Sequence, residues 1–377
     1  MPVHYRFANR DEYPKISQFL DEHWAKDHVY VRNRKLFDWT FGRNEVWPED
    51  TYSFAMAEDA GELVGILGGI PFTFNHAGEQ SPGVWIVNYV IREDRRRGPM
   101  ALQLLGVFRK PPFRSTIAFG INPATATIYK ALRGEVLAEI PRHFAVLSGG
   151  EEQMSDLLHV AHPQWESARI REVVSAFETR DVVEAPMIAG RAIPEDWDSN
   201  DWLRLATCTT GAVRDSVYLN WRYLRHPCFE HHVLTVPENG HNGLAIWRLE
   251  TIRRSADSGD KSMGRIARLL EFIPVSRENA RQLAAAFLGD ASQCGAFAAD
   301  YYGYHGGIRE LLADSGLRAA SYHPDGDFIP TRFQPLDGHT GVIMSAMFVP
   351  QGLPACSPAA DCTWYWTKSD SDQDRPN

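Results

Sequence analysis

Cysteine is scarce in this chain of 377 residues. The five present, Cys208, Cys228, Cys294, Cys356 and Cys362, form no CxxC pair, and an odd number cannot all pair within one chain. This argues against a disulfide-stapled secreted scaffold and leads us to expect reduced thiols in a cytoplasmic protein. Long apolar runs are missing too. Stretches such as Val64–Ile70 fall far short of the roughly 20 residues that a membrane span requires, so no span is expected. The opening MPVHYRFANRDEYPK lacks the basic and then apolar pattern of a secretory signal. Basic charge is not in excess: Lys plus Arg number 39 against 48 Asp plus Glu, a formal charge of −9. A partner of a nucleic-acid polymer would usually be basic, so none is expected. His226, His231 and His232 lack the HExxH spacing of a zinc site, and neighbours on a strand point to opposite faces, so no metal is expected. The turn Ser148-Gly149-Gly150-Glu151 lacks the Lys-Ser/Thr of a P-loop and reads as linker.

Hydrophobic residues make up 44% of the chain and aromatics 11%, ample for a large core. At roughly 150 residues per domain the length predicts about two domains. An internal repeat makes that specific. Leu36-Phe37-Asp38-Trp39-Thr40-Phe41 lines up with Tyr218-Leu219-Asn220-Trp221-Arg222-Tyr223, 182 residues later. Each is followed by a predicted hairpin (Tyr52–Glu58 and Leu63–Ile70; His232–Val236 and Gly243–Leu249), then a third strand (Val84–Ile91; Ala267–Val275). A helix (Met100–Arg109; Glu278–Phe287), a short strand (Ser115–Ile121; Gly295–Ala299), a polar residue (Asn122; Asp300) and a helix ending in Gly (Tyr129–Gly134; Ile308–Gly316) complete each copy. The repeated place of Trp39 and Trp221 favours a packing role. The connection holds an amphipathic stretch (Met154–His159) and a predicted helix (Trp165–Phe177). Thr363–Thr367 reads as a last strand, and the polar, acidic Lys368–Asn377 as a frayed terminus.

The most informative segment is Val87-Asn88-Tyr89-Val90-Ile91-Arg92-Glu93-Asp94-Arg95-Arg96-Arg97-Gly98-Pro99-Met100-Ala101. An apolar strand runs into a turn with four arginines, then a Gly, then a helix. A helix start offers free N–H groups and positive dipole to a phosphate, Gly98 permits close approach, and arginines grip further oxygens. In an acidic chain this cluster is the clearest anion site.

The segment resembles motif A of the GNAT acyltransferase superfamily, Arg/Gln-x-x-Gly-x-Gly/Ala between a strand and a helix. Arg95–Met100 matches its first four positions and departs at Met100, while Pro99 removes a donor. Asn122 followed by Tyr129 resembles motif B, with Gly134 one residue late and Glu135 in place of Phe. The resemblance covers about residues 3–147, Tyr5–Trp24 matching the first strand and helix. It implies an α/β (α+β) fold of two tandem GNAT-like modules, each a mixed, largely antiparallel sheet flanked by helices. The division is 1–148 for an acyl-CoA-binding module, 149–195 for a linker with a helix, and 196–377 for an acceptor-binding module. In that last module Ser276-Arg277-Glu278-Asn279-Ala280 carries no Gly and no phosphate turn.

By resemblance, acyl-CoA is the co-substrate, held by Val90, Arg92, Arg95, Arg97, Gly98, Met100, Ala101, Asn122 and Tyr129. An unpaired N–H on the motif A strand would polarise the thioester carbonyl. Tyr129 stands where the family often has a general acid. Asn88 occupies the usual place of a base and cannot serve. Glu271, inside an apolar strand, and His305, in a predicted loop, are the candidate bases; an amine of modest pKa could instead lose its proton to water. Asn88, Arg222, Tyr302 and Tyr304 are candidate acceptor-binding residues, with Arg142 and Arg225 as further cations for a diphosphate. Tandem members with a segment such as Asn220-Trp221-Arg222-Tyr223-Leu224 and His226-Pro227 resemble bacterial enzymes that N-acylate nucleotide-linked amino sugars for surface polysaccharide. Two alternatives stay open: transfer of an acyl or aminoacyl group to another small amine or a peptidoglycan precursor, and a non-catalytic ligand-binding or scaffolding descendant.

Overall fold

The computed structural model describes residues 2–43, 45–179, 187–254, 262–305, 308–322, 328–336, 338, 340–350, 353 and 363–376. The first half runs β1 (His4–Asn9), α1 (Tyr13–His23), α2 (Val29–Arg32), α3 (Arg34–Phe41), β2 (Thr51–Asp59), β3 (Glu62–His76), β4 (Glu79–Ile91), α4 (Met100–Phe108), β5 (Ser115–Phe119), α5 (Pro123–Ala131), β6 (Glu135–Ile140) and β7 (Arg142–Val146). The connection carries α6 (Glu151–Ala161), α7 (Ser167–Phe177) and β8 (Ile188–Gly190). The second half runs α8 (Leu203–Ala206), β9 (Thr210–Ala212), α9 (Ser216–Leu219), β10 (His232–Glu238), β11 (His241–Thr251), β12 (Arg265–Ile273), α10 (Arg277–Gln293), β13 (Ala298–His305), α11 (Ile308–Asp314), β14 (Arg318–Ala319), β15 (Ile343–Phe348) and β16 (Trp364–Thr367). Cys356 and Cys362 lie outside the described residues.

Alternation along the strands decides which helix covers which face. β2 sends Ala55 and Ala57 toward Met100, Leu104 and Phe108 of α4, and Phe54 and Met56 toward α1 and α3. Small residues are required on the α4 side: a Cβ on Gly69 would come within 2.3 Å of the Phe108 ring. In the second half α10 and α11 cover one face of the sheet through Leu283, Phe287 and Leu312.

The repeat is kept residue for residue in the sheet. Val84 pairs with Thr116 in the parallel β4–β5 contact, and Ile266 pairs with Ala298 in β12–β13, each residue 182 positions after its counterpart. Each of the two third strands carries a bulge. Asn88 and Tyr89 together oppose the single stretch around Leu67, with Asn88 at φ +48°, and Leu270 is the extra residue of β12. Trp39 and Trp221 meet each other, their rings stacked at 4.9 Å, so the packing role is what the structure gives them.

Three expectations are corrected. β7, assigned to the first module, pairs with β13 and β14 of the second, while β15 inserts between β5 and β6 of the first. β9 of the second half also pairs with β3 of the first, so strand pairing crosses the 1–148 and 196–377 division at β7, β9 and β15. The second short strand is Ala298–His305, not Gly295–Ala299, so Asp300 lies within it and His305 ends it rather than sitting in a loop. The alternation of aromatic residues through Tyr301, Tyr302 and Tyr304 suits a pleated, buried strand. The acidic terminus is not frayed: Ser369, Asp370, Ser371, Asp372 and Asp374 are buried at the centre, following β16, which joins β13 to β9.

Candidate active site

β4 and β5 hydrogen-bond only between Gly83–Ile86 and Ser115–Ala118. Beyond that point β4 continues to Ile91, and its bulge at Asn88 turns it away from β5. One edge of residues 87–91 is thus without a strand partner among the described residues. Asn88 is buried there with its side-chain carbonyl oxygen unpartnered. Val90 is buried beside it, and the Arg92 N–H is already taken by Val64 O at 3.0 Å.

The turn after β4 ends in α4, whose first residue follows Pro99 with no side chain capping the helix. The first intrahelical bond runs from the Gln103 N–H to Pro99 O, leaving the amides of Met100, Ala101 and Leu102 ahead of it. Tyr89 donates its hydroxyl to Ala101 O and ties this end to the strand. The corresponding helix of the second half, α10, is capped by the Ser276 hydroxyl, which accepts from the Asn279 N–H at 3.0 Å. Only the first copy therefore presents an open helix start.

The arginines of the turn divide. Arg92 is paired with Glu62 and Asp94, and Arg95 with Asp59 and Asp94. Arg96 donates to Ile91 O. Arg97, exposed beside Gly98, has no partner among the described residues. Arg97, Gly98, Met100 and Ala101 are brought together at the helix start; Arg92 and Arg95 face the neighbouring carboxylates. Gly98 sits at φ +121°, a conformation side-chain-bearing residues rarely adopt, with open space around it. Gly98→Val therefore tests the backbone alone. It should weaken coenzyme A binding by about tenfold, measured by calorimetry, at a stability cost of about 1–3 kcal/mol from the strained backbone.

Tyr129 projects from α5 with its ring stacked on Phe348 of β15 at 5.3 Å. Burial, opposed by Arg109, pushes its hydroxyl up to about 12, so it stays protonated at neutral pH. Asn122 is the N-cap of α5, its side-chain oxygen accepting from the Thr125 N–H at 2.8 Å, which starts the helix at Pro123 rather than Tyr129.

The acceptor-side candidates are scattered. Glu271 is wholly enclosed: Tyr223 and Tyr365 each donate a hydroxyl to it at 2.6 Å, and Arg214 lies 2.9 Å away. Burial pushes its carboxyl up, against the pull of Arg214. That network leaves its carboxylate in a structural setting at the centre, away from any described cavity. The side chain of His305 lies outside the described residues. Arg222 donates to Ser371 O at 2.7 Å and holds the terminus, Arg142 is buried against Asp300, and Arg225 stays on the surface. Tyr304 is buried in the core between the halves, and Tyr302 lines a cavity there.

That cavity, about 350 Å³, was not legible as a site from the sequence. It is bounded by Arg248 and Glu250 of β11, Arg268 of β12, Lys368 of the terminus and, from the first half, Gly120 and Ile121 just beyond β5. The signal was there: Arg248 and Glu250 at alternate positions in the apolar run His241–Thr251, and Arg268 inside the apolar run Arg265–Ile273. Among the described residues, the ligand atoms of His232, Asp290 and Cys294 lie within 4.8 Å of one another, close enough to share a metal ion. No helix among the described residues is long and apolar enough to cross a membrane.

No family model and no curated protein matches the sequence. Solved structures do match in fold. A GCN5-related N-acetyltransferase from Kribbella flavida is 13% identical, with a TM-score of 0.51 over 92% of this chain and 70% of its own. N-myristoyltransferase from Saccharomyces cerevisiae, with bound myristoyl-CoA, is 11% identical, with a TM-score of 0.52 over 92% and 83%. A conserved protein of unknown function from Enterococcus faecalis V583 is 11% identical, with a TM-score of 0.52 over 93% and 73%. The chain has the fold of these proteins: a mixed sheet flanked by helices, in a two-module arrangement.

Proposed function

We propose that this chain is an acyl-CoA-dependent N-acyltransferase with one coenzyme site, in the first half. The observation that carries the reading is the open edge of β4 leading into the uncapped start of α4. The amides of Met100 and Ala101, with Arg97 and the close approach at Gly98, suit the pyrophosphate. The unpartnered edge at 87–91 suits the pantetheine and offers a donor to the thioester carbonyl oxygen, where negative charge develops when the amine attacks. Tyr129 donates its proton toward the departing thiolate sulfur. Glu271 is enclosed in its own network, so the amine is taken to enter neutral, its proton lost to water.

The acceptor is the amino group of a nucleotide-linked amino sugar, as in O-antigen or capsule synthesis in a bacterial cytoplasm. Support comes from the cavity between the halves, where β5 of the first half opens onto arginines of the second. The bound myristoyl-CoA of the yeast neighbour favours the donor class. A thiol-release assay of several acyl-CoAs against a panel of nucleotide-linked amino sugars tests the reading. Release that depends on such an acceptor is the expected result; release only with unrelated amines would overturn the acceptor assignment.

A further inference from the structure

Resting on the acyltransferase reading, we infer that the cavity between the halves is a diphosphate subsite in which Lys368 and Arg332 hold the acceptor's phosphates. Ion pairing around the cavity is uneven. Arg248 is paired with Asp374 at 2.7 Å and with Glu250 at 3.1 Å. Arg268 is paired with Glu250 and lies 3.6 Å from Asp300, and Arg375 is paired with Asp372. Lys368 and Arg332 line the same cavity with no direct ion pair among the described residues, Lys368 feeling Asp300, Asp374 and Glu250 only at longer range. The Lys368 ammonium lies 4.9 Å from the centre of the Tyr302 ring, which it meets as a cation–π contact. Five cations, Arg248, Arg268, Arg332, Lys368 and Arg375, line the cavity against two carboxylates, Glu250 and Asp374, an excess that suits a ligand with two negative charges, which a diphosphate supplies and a lone carboxylate does not.

Placement agrees with the chemistry. The cavity reaches Gly120 and Ile121, the residues by which β5 leaves the sheet beside the parted strands. A diphosphate held there leaves the attached sugar facing the thioester edge of β4. Arg222 and Arg142 do not share this role, because each is already committed to groups of the protein.

Lys368 also gives the site a pH signature. Burial and Arg268 lower its ammonium to about 7, against Asp300, Asp374 and Glu250, which raise it. Arg248 and Tyr302 are the remaining charged or titratable neighbours on the facing strands. The charge is present below that value and lost above it.

The experiment is calorimetric titration of inorganic pyrophosphate into protein saturated with coenzyme A, which blocks the start of α4. Wild type should bind, Lys368→Met and Arg332→Met should each bind about tenfold more weakly, and Lys368→Arg should bind as wild type does. Raising the pH from about one unit below to one unit above 7 should weaken wild type relative to Lys368→Arg. That comparison cancels the titration of pyrophosphate itself. Coenzyme A binding with no pyrophosphate binding, or with variants indistinguishable from wild type, would overturn the subsite alone. Succinate binding in place of pyrophosphate would overturn the diphosphate. Absence of coenzyme A binding would count against the acyltransferase reading, and the same variants, titrated without coenzyme, would still decide the subsite.

Discussion

Arg214→Met is expected to destabilise the fold by about 3–5 kcal/mol, the cost of leaving buried carboxylates without their cation. Arg214 is fully buried on the segment after β9. Its guanidinium donates to both oxygens of Asp370 at 2.8 Å, lies 2.9 Å from Glu271, and stacks over Tyr218 and Tyr365. Methionine fills the space but leaves two carboxylates facing each other in the core. The loss is local as well as global, because Asp370 folds the terminus back by accepting from the Thr367 N–H. Denaturant titration should show a lower midpoint, and hydrogen exchange should rise first across Trp364–Asp374. A change under about 1 kcal/mol would mean that the cluster is solvated and that the terminus is held by other contacts.

Tyr129→Phe is expected to lower turnover by about a hundredfold, with the KM for acyl-CoA nearly unchanged. The stack on Phe348 fixes the ring, and phenylalanine preserves that stack. The hydroxyl has no protein partner among the described residues, so removing it leaves no orphaned group and should not disturb stability. General acid catalysis spans about 10²–10⁴-fold, and the lower end applies here for two reasons. A thiolate is already a good leaving group, with a thiol pKa near 8.5. Burial also holds the Tyr129 hydroxyl up at about 12, so proton transfer to sulfur is uphill and contributes less than a better-matched acid would. Steady-state kinetics on both proteins decides it; unchanged turnover would remove Tyr129 from the acid role.

The repeat was legible because hydrophobic spacing and turn residues are local properties, and the matching bulges at Asn88 and Leu270 preserve its 182-residue offset. The strand exchange was not. Arg142–Val146 and Ile343–Phe348 read as strands wherever they pair, and nothing local marks which sheet receives them. The terminus misled for a related reason. An acidic run looks solvated until Arg214, Arg222 and Arg248, far away in sequence, supply ion pairs and a hydrogen bond inside the core. The phosphate turn stood out because a helix start, a Gly and a basic cluster lie together in the chain. The cavity did not, because Arg248, Arg268, Arg332 and Lys368 converge from four separate segments.

Titration of coenzyme A into the protein by calorimetry tests the central claim most directly. The account predicts one molecule bound per chain, at a site weakened by Gly98→Val and left intact by Ser276→Ala on the capped helix of the second half. No binding would contradict the coenzyme site, and two molecules per chain would contradict its restriction to the first half.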